Sequence, residues 1–316
     1  MKHSLAAALL AALFAFGVAA AAEAGSKDVL TKAHALIHKH DDKGAIALLD
    51  ALLQKDPKNA EALVTRGDAK DNLGQHLEAL VDYSAAIEIN PDYAYAYYTK
   101  CETEVSIARD EQAIADCTKA ITLDASNAEA FVERAFAYEN VGRYDEGLKD
   151  ADTAIKMDAS SAEAFNARCR AERSLKEYAA ARTDCKKSIA LDPEYERPVW
   201  NLAMTEFRTG HFGAAASGFE KALKLDDSDE YSHYWSALSY YELQQYPKAL
   251  THINVYISKQ QTDGDGYFNR AKIEAATGDK AAARTDFNES IRLYKVANDQ
   301  DGIDSATKLL ADLDKP

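Results

Sequence analysis

Small residues recur along this chain every 34 positions, and this spacing is its strongest pattern. Twelve residues before each member of the series lies another small residue, which gives a second series in the same register. Small side chains at fixed points let two helices approach closely, and aromatic side chains elsewhere fill the remaining volume. The pattern predicts repeated pairs of packed helices. The two series are Ala45, Ala79, Ala113, Gly147, Ala181, Ala215, Ala249, Ala283 and Ala33, Gly67, Cys101, Ala135, Cys169, Ala203, Ala237, Ala271.

Helix-ending signals fall in the same register. Gly74, Gly142, Gly210 and Gly278 all occupy position 15 of a 34-residue unit, where we expect the first helix of each pair to end in a left-handed cap. After residue 297 the pattern changes to a single amphipathic stretch. We expect residues 298–316 to form a helix that covers the last repeat.

The register resembles the tetratricopeptide repeat family, whose unit is a pair of antiparallel helices. The resemblance covers residues 26–297 without an insertion, with eight repeats that begin at 26, 60, 94, 128, 162, 196, 230 and 264. It implies an all-α fold, a right-handed superhelical solenoid with a concave groove lined by the first helix of each repeat.

The first 22 residues form a predicted secretion signal. Lys2 and His3 precede an apolar run from Leu5 to Val18, which is too short to span a bilayer comfortably. Small residues then predict cleavage after Ala22, or alternatively after Ala24, and an uncleaved N-terminal anchor is the other interpretation of this segment. We therefore expect export, to the periplasm of a bacterium or, as an alternative, by secretion or into a secretory-pathway lumen.

The four cysteines form two pairs with identical spacing. Cys101 and Cys117 are 16 residues apart, as are Cys169 and Cys185, and both pairs occupy repeat positions 8 and 24. These positions lie on facing helices of one predicted hairpin, so disulfides Cys101–Cys117 and Cys169–Cys185 are one hypothesis. Four buried free thiols are the alternative, because helix spacing can exceed the range that a disulfide bridges.

Composition and motifs argue against several function classes. Asp and Glu number 52 against 37 Lys and Arg, which gives a formal charge of −15 and makes nucleic acid a poor partner. The chain has no catalytic, phosphate-binding or zinc-protease motif. We expect a protein that is not an enzyme, with no cofactor and no metal site.

In the family that this chain resembles, repeat positions 2, 5, 6, 9, 12 and 13 line the concave face. In the fifth to eighth repeats these positions carry arginines and large apolar side chains, a combination typical of binding hot spots. In the second to fourth repeats they are acidic, so basic partner groups could pair there. The candidate partner-binding residues are Arg170, Arg173, Arg197, Trp200, Met204, Phe207, Arg208, Tyr231, Tyr234, Trp235, Tyr241 and Phe268.

These side chains predict a protein or peptide ligand with acidic and apolar features, held by a scaffold that assists assembly of envelope complexes. Burial of the same aromatics within and between helices is the structural alternative. Two other functions stay open: a lumenal co-chaperone of the secretory pathway, and a sensor in which arginines and aromatics hold a small anionic ligand.

Overall fold

The computed structural model describes residues 25–313 and residue 315. These residues form α-helices joined by short turns, with no strand among them. The chain divides into two compact units, one ending at Met157 and the other beginning at Asp158. The predicted all-α architecture of helical hairpins with a final covering helix is confirmed. The predicted signal at residues 1–22 lies outside the described residues.

Residues 25–157 of the first unit form eight helices, which pack as consecutive antiparallel pairs. They are α1 (25–37), α2 (Asp42–Leu53), α3 (Ala60–Asn72), α4 (His76–Ile89), α5 (Ala94–Ser106), α6 (Asp110–Leu123), α7 (Ala128–Asn140) and α8 (Tyr144–Met157).

The second unit contains four further pairs and one additional helix. They are α9 (Ala162–Ser174), α10 (Tyr178–Leu191), α11 (Glu196–Arg208), α12 (Phe212–Leu225), α13 (Glu230–Glu242), α14 (Tyr246–Lys259), α15 (Gly264–Thr277), α16 (Lys280–Ala297) and α17 (Gln300–Asp312).

The first helices of the second to eighth hairpins begin at the residues given by the 34-residue spacing. Side chains at several of these starts accept backbone N–H groups that the helix itself leaves unsatisfied. Asn59 accepts from Ala62 N at 2.9 Å, Asn127 from Ala130 N at 3.0 Å, and Ser161 from Ala164 N at 3.0 Å. The polar residues at these three points therefore fix where their repeats begin.

Repeat position 15 adopts a left-handed backbone in all eight repeats. The four glycines have φ values from 73° to 87°, which confirms the predicted caps. The other four repeats carry side chains there, a conformation that costs an L-residue roughly 1–2 kcal/mol. These residues are His40, Ala108, Lys176 and Gln244, with φ between 56° and 65°. The tight turn inside each hairpin thus has one geometry whether or not glycine is present.

In several hairpins the facing helices meet through one small and one large side chain, at repeat positions 8 and 24. Gly67 faces Tyr83, and Ala203 and Ala271 occupy the same position opposite Phe219 and Phe287. All three aromatic side chains are at most 1% exposed. The small partner allows the close approach, and the large partner excludes water from the contact.

In the third and fifth repeats a cystine occupies these same two positions. Cys101 is joined to Cys117 and Cys169 to Cys185, with Cα atoms 5.4 Å apart in each pair. This separation lies within the range that a disulfide bridges. The structure therefore favours the two bridges of the hypothesis over four free thiols, and each bridge closes within one hairpin.

A partly buried ion pair crosses several hairpins next to this contact, at repeat positions 7 and 23. Arg134 donates to Asp150 at 2.8 Å, Arg270 donates to Asp286 at 2.9 Å, and Lys100 donates to Asp116 at 2.7 Å. These pairs satisfy charges that would otherwise be costly to bury.

The third, fifth and eighth repeats place a second carboxyl group beside this ion pair, at position 11. Burial and the neighbouring aspartate raise the pKa of Glu104 to about 7, of Glu172 to about 8 and of Glu274 to about 7. Each of these glutamates has one buried oxygen without a hydrogen-bond partner in the described structure. A proton on the glutamate lets it donate to the aspartate, and this hydrogen bond also favours the protonated form.

Helix α17 covers the last hairpin through its apolar side. Ala306 is fully buried, and Leu313 is 8% exposed. Ile303, Leu309 and Leu310 pack against the same cluster, which includes Phe287 of the last hairpin. This contact removes from water an apolar surface that a ninth repeat would otherwise have to cover. Within the described part of the chain, no helix is both long and apolar enough to cross a membrane.

Candidate functional site

The second unit contains a cleft of about 860 Å³, lined by the fifth to seventh repeats of the chain. Helices α9, α11 and α13 supply most of its lining, so it lies along the first helices of consecutive hairpins. Arginines, tryptophans and acidic residues line it together. The lining residues are Arg170, Arg173, Glu196, Arg197, Trp200, Asn201, Asp226, Ser228, Asp229, Glu230, Tyr231 and Trp235.

Six of the twelve residues expected at a partner-binding groove line this cleft: Arg170, Arg173, Arg197, Trp200, Tyr231 and Trp235. Three more lie beside Trp235. The rings of Phe207 and Tyr234 are 5.1 Å and 5.3 Å from its ring, and Arg208 lies over it at 5.8 Å. The structure thus brings nine of the twelve together.

The remaining three lie elsewhere. Met204 is 2% exposed and packs in the core with Phe219, so its expected place on the groove is wrong. Phe268 packs edge-on against Phe287, 5.9 Å away, and helps to bury α17. Tyr241 pairs with Tyr246 at 6.0 Å and is not among the residues that line the cleft.

The two tryptophans of the cleft each support an arginine. The guanidinium of Arg173 lies 5.7 Å from the ring centroid of Trp200, and that of Arg208 lies 5.8 Å from Trp235. Both pairs are separated by 27 residues, so the same arrangement occurs in two successive repeats. The electron-rich face of an indole attracts a guanidinium cation, whose planar set of N–H donors can still bind a carboxylate. This geometry suits recognition of carboxylate groups next to an aromatic surface.

Buried amides fix the floor of the cleft. Asn201 donates from Nδ2 to Asn166 Oδ1 at 2.9 Å, and Asn166 donates in turn to the Tyr195 hydroxyl at 3.0 Å. Asn166 is fully buried, and burial raises the pKa of Tyr195, which keeps its hydroxyl neutral. The chain of hydrogen bonds joins α9 to α11 and holds the cleft in one shape.

Acidic residues contribute to this cleft, which the repeat pattern did not predict. Asp226, Asp229 and Glu230 come from the turn before α13 and the start of that helix, and Glu196 begins α11. The acidic run 226–230 could have indicated these residues from the sequence. It leads directly into the first helix of the seventh repeat, and the first helices line the groove. The cleft therefore presents both signs of charge.

A second cleft of about 510 Å³ lies in the first unit and is acidic. Glu61, Asp68, Asp71 and Glu102 line it together with tyrosines and two histidines. Asp68 accepts hydrogen bonds from the hydroxyl of Tyr83 at 3.0 Å and from that of Tyr95 at 3.3 Å.

Burial raises the pKa of Asp68 in this cleft to about 7, although the two tyrosine hydroxyls oppose the shift. The pKa of Glu102 is raised too, by burial and by the charge of Asp71. This cleft therefore carries a local excess of acid. Among the described residues, no group of three or more His, Cys, Asp and Glu side chains could hold a metal ion.

Family models described as tetratricopeptide repeat match residues 60–93, 132–196 and 201–266, which together make up about half of the chain. The matches fall in both compact units and include the helices that line the large cleft. No curated protein matches the chain significantly.

Solved structures with the same fold share little sequence with it. A chain of the APC/C hetero-tetramer Cut9–Hcn1 gives a TM-score of 0.69 at 16% identity, over 91% of this chain and 55% of that one. The protein thus spans about half the length of that chain. Pseudomonas aeruginosa PilF gives 0.58 at 18% identity, over 68% of this chain and 96% of that one. A tetratricopeptide repeat protein of Thermus thermophilus gives a TM-score of 0.50 at 18% identity, over 57% of this chain and 98% of that one.

Proposed function

Because the chain belongs to the tetratricopeptide repeat family, we propose that it is a non-enzymatic scaffold that holds a partner protein or peptide in the cleft of its second unit. The observation that carries the proposal is the pairing of Trp200 with Arg173 and of Trp235 with Arg208, beside a cleft of about 860 Å³ that both tryptophans line. Rigid aromatic anchors beside arginines are the side chains that dominate the energetics of protein interfaces.

The size and lining of the cleft favour a peptide segment over a small metabolite. Its volume lies toward the upper end of the range of small-molecule pockets. Its lining side chains come from three successive repeats, which suits an extended or helical segment that lies across them. Carboxylates of the partner would meet Arg173 and Arg197, and an apolar side chain would lie against Trp200 and Trp235.

We also propose that the protein is exported to the periplasm and acts there, in assembly of envelope complexes. The apolar run at residues 5–18 and the small residues that follow support export. The two cystines support an oxidising compartment. The mass of the exported protein tests this directly, because cleavage after Ala22 leaves Glu23 as the first residue.

Tyr231 offers the sharpest test of the cleft, because it is 52% exposed and its loss leaves the core intact. Tyr95 is its matched control, since it occupies the same repeat position in the third repeat and is 47% exposed. A displayed library of random peptides should enrich acidic and aromatic sequences on the wild type. Binding of these sequences should fall about tenfold with Tyr231→Ala and stay unchanged with Tyr95→Ala.

Equal binding by all three proteins, or no enrichment on any of them, would contradict the proposed site. Alanine at Trp200 or Trp235 is less informative, because both rings also pack on the core. Trp200 lies edge-on to Phe219 at 6.0 Å, and Trp235 to Phe207 at 5.1 Å. Lost binding in those variants could therefore report lost packing.

A further inference from the structure

The acidic residues of the large cleft differ in whether their carboxylates accept hydrogen bonds from the protein itself. Asp226 accepts the backbone N–H of Ser228 at 2.9 Å, and Asp229 accepts that of Ser232 at 3.0 Å. Glu230 accepts the side-chain amide of Gln260 at 2.9 Å. These three carboxylates thus shape the turn before α13 and the first residues of that helix.

Glu196 is the exception. No hydrogen bond or ion pair of its carboxylate occurs within residues 25–313. The side chain is partly buried at the first residue of α11, on the lining of the cleft. Burial and the charges of Asp229 and Asp226 raise its pKa to about 7, and Arg197 opposes that shift only in part. A partly buried carboxylate beside two other carboxylates is a place where a cation would gain most.

Resting on the proposed function, we propose that the segment bound in this cleft carries a basic side chain, a lysine or an arginine, whose cationic group pairs with Glu196. The partner would then bear both signs of charge, with its carboxylates on the arginines and its cation on Glu196. The aliphatic part of such a side chain can lie along Trp200 or Tyr231 while its charged end reaches the carboxylate.

This pairing predicts a definite pH dependence. The cation binds the ionised form of Glu196, and that form becomes more populated as pH rises through its raised pKa near 7. Affinity for a lysine-containing peptide should therefore increase between pH 6 and pH 8. Asp226, Asp229 and Arg197 are the charged groups that act on Glu196. Hydrogen bonds from Ser228 lower the pKa of Asp226, so this aspartate stays ionised over the range.

The test uses the whole protein and a displayed library of random nine-residue peptides with blocked ends. Selection on the wild type should enrich peptides that combine Asp or Glu, an aromatic residue, and Lys or Arg. Selection on Glu196→Gln should keep the acidic and aromatic residues and lose the enrichment of Lys and Arg. Glu194→Gln is the control, because it removes the same charge two residues away at an exposed position outside the cleft lining.

The outcomes separate this inference from the proposed function. Acidic and aromatic peptides without enriched Lys or Arg on the wild type would overturn the basic group while leaving the scaffold in place. No enrichment over the Tyr231→Ala variant would overturn both. Enrichment of Lys and Arg that persists in Glu196→Gln would place the cation on another group and overturn the role of Glu196.

A pair of peptides from the selection then measures how much the lysine contributes to affinity. For one enriched peptide and its lysine-to-norleucine form, the lysine should strengthen binding about five- to tenfold on the wild type at pH 8. The ratio should approach one on Glu196→Gln and stay at the wild-type value on Glu194→Gln. The gain from lysine should shrink at pH 6 in the wild type and in Glu194→Gln, because both keep Glu196, and a wild-type gain that is the same at both pH values would contradict the pairing.

Discussion

Gly67 lies so close to the ring of Tyr83 that a Cβ atom at residue 67 would stand 2.4 Å from Tyr83 Cε1. The same two repeat positions hold Cys101 and Cys117 in the next repeat, where the side chains are joined by a bond instead of packed. The same place in the hairpin is therefore filled by a glycine under a ring in the second repeat and by a cystine in the third.

We expect Gly67→Ala to destabilise the first unit by about 1–3 kcal/mol, because the added methyl forces the ring of Tyr83 to move. Chemical denaturation followed by helical circular dichroism measures the loss. Gly213→Ala is the control. It lies in a helix with no other atom within 4 Å of an added Cβ, so it should be neutral or stabilise by up to about 1 kcal/mol. A neutral Gly67→Ala would contradict the packing described.

Reduction of the two cystines should lower stability without abolishing the fold. Each closes a loop of 16 residues, for which the chain-entropy model gives about 3 kcal/mol per bridge. The denatured protein should gain about 4 Da on reduction, since each bridge takes up two hydrogens. Its midpoint of denaturation should fall in reductant. An unchanged mass would show four free thiols instead.

Replacement of Lys176 by glycine should stabilise the protein. It occupies repeat position 15 with φ of 65°, where glycine has no Cβ penalty. We expect Lys176→Gly to stabilise the second unit by about 0.5–1 kcal/mol, because the relief of backbone strain exceeds the added freedom of the unfolded chain. Gly210→Ala, at the same position one repeat later, should destabilise by about 1–2 kcal/mol. Thermal denaturation of both variants checks the pair, and effects of equal sign would contradict a shared left-handed turn.

The pairs of glutamate and aspartate at repeat positions 11 and 23 predict lower stability at alkaline pH. The raised pKa of Glu172, about 8, means that the folded protein holds a proton that the unfolded chain releases at lower pH. The stability contributed by this group is full below the unfolded pKa near 4.5 and is lost as pH rises through 8. Glu104 and Glu274 act in the same direction.

Glu172→Gln should remove part of this dependence, because an amide can donate to Asp184 without a titrating proton. We expect its Tm at about pH 8.5 to exceed that of the wild type by on the order of 2–5 °C, with a smaller difference at about pH 6. Glu194→Gln serves as the exposed control and should match the wild type at both pH values. A difference for Glu172→Gln that is constant with pH would show a role in packing alone.

The 34-residue spacing was sufficient to predict the helices, because each repeat position meets the same neighbours in every hairpin. Four left-handed turns could be predicted from glycine. The turn at Lys176 could not, since its own residue type argues against that conformation and only the register indicates it.

The cleft was harder to predict than the fold. Met204 was placed on the groove by its repeat position, yet its flexible apolar side chain turns into the core beside Phe219. Glu196 was missed because its effect depends on a turn about thirty residues later, where Asp226 and Asp229 bring their charges to the same cleft. The sequence of one helix does not show which charged residues from a later turn lie close to it.

Both cystines join the two helices of a single hairpin, and neither joins one repeat to the next. Neighbouring repeats can therefore slide or tilt against a bridged hairpin without stretching a covalent bond. A ligand that opens or narrows either cleft would meet resistance only from side-chain contacts and hydrogen bonds, so oxidation can protect the protein against unfolding while leaving its recognition surfaces adjustable.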